Sequence, residues 1–429
     1  MQIKYNLDQK PPLGANLLFG LQWLFIALPS IVIIGKIVAV LHFDDPVDQV
    51  IYLQKMSFVM AAVLFGQVLW GHRLPLVSGP STVLLIGVLA ASGFTLEVIY
   101  TSVMIGGFIL ALTAIFGLFG HLQKLFTPRV IAVILFLVAF TLLKPVISLI
   151  QGPPDSSQAL VHLLFAFGLI LGMFFFQKNI KGIWKSTFIV WAMVVGTLAY
   201  YLIFSSSEKS VVPVQLPAFS FFFKHLILKP SFDTGVFLSF LFCFLALSIN
   251  DLGSIESIEE LIKPSDMPGR INRGITLTAI GNILAGFFGI VGPVNYSSSP
   301  GVILSTGCAS RFPLIPAAVI LAFISFSPAA MGLMDKTPPV VIGSVLLAIL
   351  CFQISAGLSV VFKAEPEFRM ETGLVIGLPV LLGTIIAFLP EGVINTFPLT
   401  LRPILGNGFV IGVFTAFILE HIIFRGKAG

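Results

Sequence analysis

Ser78-Gly79-Pro80-Ser81-Thr82 interrupts a hydrophobic run where a membrane helix would otherwise continue, and Tyr296-Ser297-Ser298-Ser299-Pro300-Gly301 does the same in the second half of the chain. Non-helical backbone at membrane depth is tolerated only where protein buries it or a cavity hydrates it. A matched pair of breaks, one in each half, points to the binding site of a transporter built from repeats. Before each break stands a proline-led extended stretch, Pro75-Leu76-Val77-Ser78 and Pro293-Val294-Asn295-Tyr296. After each, a proline sits where a helix can begin without losing a useful N–H. The expected product is two short strands, each followed by a half-helix whose N-terminus points free N–H groups into the membrane.

The rest of the chain agrees with that setting. Hydrophobic residues make up 57% of it and charged residues 10%, and its mean hydropathy is +1.04. A soluble domain carries about 25% charged residues. Apolar runs of about 20 residues recur throughout, which predicts an all-α polytopic membrane protein. The polar stretch Met1–Lys10 before a long first apolar run argues against a cleaved signal peptide. Cys243, Cys308 and Cys351 lie in apolar segments without metal-ligand spacing, so packing is their expected role and no metal or cofactor is expected. The net charge of +5 follows from loop topology and not from a nucleic-acid partner.

About fourteen spans are expected, beginning near residues 16, 51, 75, 95, 127, 159, 183, 234, 273, 296, 313, 338, 371 and 400, with the third and tenth short and broken. Lys and Arg concentrate on the side of both termini, as at Lys178, Lys185, Arg270 and Arg273. Asp44, Asp45 and Asp48 fall on the other side, with Lys36 and Lys55 assigned there too. Both termini are therefore expected in the cytoplasm. The long polar stretch near 206–233 separates residues 1–205 from 234–429. Seven spans in each part would insert the second upside down relative to the first, as two inverted repeats.

Within the spans, Ser248-Ile249-Asn250-Asp251-Leu252-Gly253-Ser254 is the most informative polar segment. An intramembrane carboxylate is costly, which makes Asp251 a candidate coupling group. A second reading places it at a helix end among the headgroups, near Glu256, Glu259 and Glu260. Asn250 and Ser254 share one helix face, and Asp251 points about 100° away. Gln22, in the first span, either holds a ligand or links two helices. No nucleophile motif, phosphate loop or dinucleotide fingerprint stands in a suitable context, so an enzyme is not expected.

Taken together, these segments resemble the nucleobase–ascorbate transporter family, also called nucleobase:cation symporter-2, which includes uracil and xanthine permeases. The resemblance is carried by Pro11-Pro12-Leu13 with Gly20-Leu21-Gln22-Trp23-Leu24-Phe25, and by Pro75 through Ser81. It continues in Gly281-Asn282 through Gly289, in Thr306 after Gly301, and in Pro338-Pro339-Val340-Val341-Ile342-Gly343. It implies two inverted seven-span repeats, with a substrate-carrying core (spans one to four and eight to eleven) and a gate (spans five to seven and twelve to fourteen). It also implies a homodimer in the bacterial inner membrane, alternating access, and coupling to H+ or Na+. A nucleobase would then meet Gln22, Ser81, Thr82, Asn250, Ser297, Ser298 and Ser299. The chain departs from the family pattern at three points. Asn250 stands where an eighth-span carboxylate is usual, Ser298 and Ser299 align with an acidic or amide pair, and Trp23 replaces a His. Two alternatives follow from that neutral site: an anion transporter like the sulfate permeases, and a non-transporting sensor relative.

Overall fold

The computed structural model describes residues 3–117, 125–152, 158–180, 182–204, 216–367, 369–398 and 400–424. The first half comprises α1 (Leu13–His42), α2 (Pro46–Leu69), β1 (Ser78–Pro80), α3 (Thr82–Ala90), α4 (Leu96–Ile115), α5 (Pro128–Thr141), α6 (Leu143–Gln151), α7 (Ala159–Asn179), α8 (Ile183–Ser186) and α9 (Phe188–Phe204). The second comprises α10 (Thr234–Ile262), α11 (Met267–Phe288), β2 (Pro293–Asn295), α12 (Ser299–Thr306), α13 (Leu314–Ser325) and α14 (Pro328–Asp335). It continues with α15 (Pro339–Ala364), α16 (Met370–Ala387), α17 (Glu391–Ile394), α18 (Arg402–Leu405) and α19 (Gly408–Ile418), which runs into a π turn over Leu419–Ile423.

Eight of these helical segments are long and apolar enough to cross a bilayer, or nine if α13 and α14, bent by 94°, form one span. The other expected spans are the two broken ones, the shorter apolar helices α9 and α19, and the more polar α11. Helix starts follow local chemistry. Asp45, Thr127, Asp233 and Asn407 each accept a backbone N–H of the first turn they precede, a cap that contributes about 1 kcal/mol. β1 falls inside the first expected break, and β2 in the extended stretch expected just before the second.

Two sets of helices pack among themselves. α1, α2, α3, α4, α10, α11 and α13 form one, and α5, α6, α7, α9, α15, α16 and α19 the other. In the first set the halves of the chain interleave, with α4 against α11 and α2 against α13. A Cβ on Gly107 would stand 3.0 Å from the Ala279 carbonyl, and one on Gly286 2.7 Å from that of Tyr100. Glycine at both positions lets the α4 and α11 backbones meet, the usual device where lipid supplies no hydrophobic drive between helices.

Lys55 departs from its expected place in an outer loop. It lies within α2, is 1% exposed, and donates to the carbonyls of Lys224 at 3.2 Å and His225 at 3.4 Å. Those carbonyls belong to the stretch joining the two halves, which folds back over α2. There Phe222 and Ile227 are buried, and Ile227 N–H donates to Phe287 O. The first residues of the expected connector, 206–215, lie outside the described residues.

Candidate functional site

β1 and β2 pair antiparallel, with Ser78 opposite Asn295, Gly79 opposite Val294 and Pro80 opposite Pro293. Each strand therefore finds its hydrogen-bond partner in the other half of the chain. Ser81 N–H donates to Gly292 O and Tyr296 N–H to Val77 O, both at 2.9 Å, so the exchange is reciprocal. The side chains reinforce it. Ser78 Oγ donates to Asn295 Oδ1 at 2.6 Å, and the Tyr296 hydroxyl donates to Pro80 O at 2.8 Å. Ser299 Oγ accepts from Val77 N–H at 3.1 Å and donates to Tyr296 O at 3.0 Å. The pair thus satisfies backbone groups that lipid could not.

α3 and α12 leave this junction as the two half-helices. Ser81 caps α3, its hydroxyl accepting from Leu84 N–H at 3.3 Å. Ser81 is 1% exposed, and Thr82 opens the helix half-buried beside it. At the start of α12 the situation differs. Ser297 and Ser298 are exposed, and their main-chain N–H groups have no acceptor among the described residues. A Cβ on Gly301 would meet open space. Ser299, by contrast, is fully buried in the strand clasp. Ser297 and Ser298, the two residues that lead into α12, can therefore offer their N–H groups to a carbonyl or an anion, whereas Ser299 and Gly301 N–H already donate to Tyr296 O and Ser298 O. α12 also packs beside α8, the short helix that leads into α9 of the other set.

α10 passes behind β2. Asp251 is fully buried, and its Oδ1 accepts Asn295 N–H at 2.9 Å. Ser254 Oγ lies 2.8 Å from both Asn295 O and Asn250 O and donates to them. One turn of α10 thus holds both main-chain groups of Asn295. α11 completes the cluster, with Thr278 Oγ1 accepting from Gln67 Nε2 at 3.0 Å and from Asn295 Nδ2 at 3.5 Å. Asn282 Nδ2 donates to Pro293 O at 3.0 Å.

Asn250 is half-buried, and its side chain makes no hydrogen bond among the described residues, so both its amide groups remain available. It faces away from Asp251, as helix geometry requires of neighbours. Gln22 is 2% exposed within α1, which also contacts β1 and α3. The expected residues therefore divide. Ser297, Ser298, Thr82 and Asn250 keep some access, whereas Ser81 and Ser299 are engaged in holding the junction. Gln67, Thr278 and Asn295 were not foreseen. Their only sequence signal is a polar side chain within an apolar segment.

Comparison with known proteins places this geometry. A candidate purine permease of Bacillus subtilis, YwdJ, is 24% identical over 94% of each chain. The uric acid transporter UacT of Escherichia coli is 20% identical over 76% of this chain and 67% of its own. Among solved structures, the transmembrane domain of a cyanobacterial bicarbonate transporter, BicA, superposes with a TM-score of 0.61 at 17% identity, covering 90% of this chain and 98% of that domain. The model of the xanthine/uracil-type Permease family matches residues 14–392. With its paired broken helices and a family match over nearly its whole length, this chain belongs to that permease family.

Proposed function

We propose that this chain is a secondary transporter that carries a nucleobase of the uracil or xanthine kind across the membrane by alternating access. The observation that carries the reading is the pair of free N–H groups of Ser297 and Ser298 leading into α12 beside the β1–β2 pair, with the free amide of Asn250 available in a permease-family fold. A nucleobase is a planar ring edged with carbonyl acceptors and lactam N–H donors. Ser297 and Ser298 N–H groups suit the carbonyls, and Asn250, which has both a donor and an acceptor, suits a lactam edge. Gln22 and Thr82 orient the ring, and Ser81 and Ser299 hold the two half-helix starts in place.

In this proposal the chain has fourteen spans in two inverted seven-span repeats, with both termini in the cytoplasm of a bacterial cell. The set built on α1–α4 and α10–α13 is the moving core, and the set built on α5–α9 and α15–α19 is the gate and the homodimer contact. Inward movement of the base is coupled to protons. Uptake of labelled uracil, xanthine and uric acid by cells expressing the protein tests the assignment. Saturable uptake of at least one, lost on competition with the unlabelled base, is expected.

A second reading, transport of a small anion, draws on the same open N-terminus of α12, where the helix dipole favours negative charge. Flux of bicarbonate or sulfate that is unaffected by nucleobases would favour it over the first.

A further inference from the structure

We propose that Asp251 is the proton-binding group of the transport cycle, acting as a positioning residue that sets the grip of α10 on β2 without touching the ligand. The inference rests on the nucleobase-transport reading above for its substrate, and on the cluster behind β2 for its chemistry.

Asp251 is the only carboxylate that is fully buried among the described residues. Its two oxygens differ. Oδ1 accepts Asn295 N–H, while Oδ2 is buried and has no hydrogen-bond partner. Among the described residues no Lys or Arg pairs with it. An unpaired carboxylate inside a membrane protein carries a large desolvation cost, and a proton on the free oxygen removes it. Oδ2 is thus a vacant acceptor that fits a proton.

The groups facing it leave that role to Asp251. From α11 comes Thr278, which is neutral. Its oxygen accepts from Gln67 and Asn295. From the segment before β1 comes His72, whose ring faces the Asn295 side chain. His72 Nδ1 accepts from Leu74 N–H at 2.9 Å, so the ring proton of the neutral imidazole sits on Nε2, which is buried without a hydrogen-bond partner among the described residues. Arg270 donates to the carbonyls of His72, Arg73 and Ser265 and not to Asp251. β1 and β2 contribute Ser78 and Asn295, both uncharged. α3, α12 and α19, which also pack on α10, contain no charged residue. The charged residues of α4 and α18, Glu97 and Arg402, sit at the starts of those helices.

Protonation state then reaches the binding site through one residue. When ionised, Asp251 grips Asn295 N–H by a charge-assisted bond, the stronger kind. Once Oδ2 takes up a proton from the outer side, the charge is lost and the acceptor strength of Oδ1 towards Asn295 N–H falls. Asn295 relaxes, and with it the register partner Ser78 and the α12 turn that begins four residues on. Release of the proton to the inner side restores the grip. One proton enters and one leaves, and no other group changes state.

The test uses the full-length protein in proteoliposomes with labelled uracil, xanthine or uric acid. Asp251→Asn keeps the size and the Oδ1 acceptor but cannot titrate. It should lose accumulation driven by an inward proton gradient and keep exchange of labelled for unlabelled base. Asp251→Glu should restore accumulation, and Ser254→Ala, which removes the other half of the grip, should keep the wild-type pH profile. Accumulation by Asp251→Asn with the wild-type pH profile would overturn the proposal. A readout without substrate separates the two ideas: infrared spectra of wild-type protein with carbon-13-labelled aspartate, titrated in pH. A protonated-carboxyl band that grows on acidification supports the proton site even if no base is moved, in which case only the nucleobase assignment fails. Absence of such a band at every pH overturns the proton site.

Discussion

The ring of Tyr296 lies directly on Gly79, so that a Cβ at residue 79 would fall 2.5 Å from the Tyr296 oxygen and 2.7 Å from two ring carbons. The tyrosine comes from the second half of the chain and covers the strand of the first. Glycine at position 79 is what lets the cover close, and the Tyr296 hydroxyl then reaches Pro80 O.

Gly79→Ala should therefore force the tyrosine off the strand. Overpacking of this kind costs about 1–3 kcal/mol. A lower melting temperature in detergent is expected, together with reduced uptake. Pairing it with Tyr296→Ala should recover part of the stability, and a double-mutant cycle of thermal melts measures the coupling.

Ser299→Ala removes the only acceptor recorded for Val77 N–H, which lies within the buried junction. Leaving a buried donor unmade costs about 1–3 kcal/mol. Ser298→Ala, at an exposed hydroxyl with no capping bond, should leave the stability within about 0.5 kcal/mol of wild type. Comparing the two melts separates the clasp from the open turn.

Asn250→Ala should leave folding intact, because its side chain holds nothing in the protein, and should weaken uptake. Loss of one neutral hydrogen bond, about 0.5–1.5 kcal/mol, corresponds to an increase in KM of up to about tenfold. Unchanged uptake kinetics would remove Asn250 from the site.

Lys55→Met keeps the length of the stem but abandons the carbonyls of Lys224 and His225. The stretch from residue 216 to 233 should then exchange its amide hydrogens faster, while α2 itself remains protected. Hydrogen–deuterium exchange followed by mass spectrometry reads this directly.

Glu365, just beyond the end of α15, has its carboxyl held below the usual range by the hydrogen bond from Arg129 Nε at 2.6 Å, with Thr372 Oγ1 donating to its other oxygen at 2.5 Å. A carboxyl depressed in the folded state stabilises above its unfolded pKa, and this contribution is lost as pH falls through the folded value. Thermal melts in the acid range should show wild type losing this increment, and Glu365→Gln should show a shallower acid slope. The pair is partly exposed, so the effect is small.

The broken spans were legible because proline and glycine state their backbone consequences locally: Gly79-Pro80 and Pro293 cannot continue a helix in either half. The direction of Asp251 away from Asn250 was legible for the same reason, since helix geometry fixes it. Its partner was not, because Asn295 lies 44 residues further along and is brought near only by the strand pair. Lys55 misled for a related reason. A lysine near a helix start reads as a loop charge, and nothing local announces that the chain returns about residue 224 to supply its carbonyls. The engagement of Ser299, as against the openness of Ser298, likewise depends on which way one turn of helix faces the other half.

The reciprocal bonds of the strand pair have a consequence for biogenesis. Val77 O and Ser81 N–H cannot be satisfied by their own half, and Ser78 waits 217 residues for Asn295. While the ribosome is still making the second half, the first can enter the bilayer only with that stretch still hydrated or held by another factor. The expulsion of that water therefore waits until β2 arrives and docks.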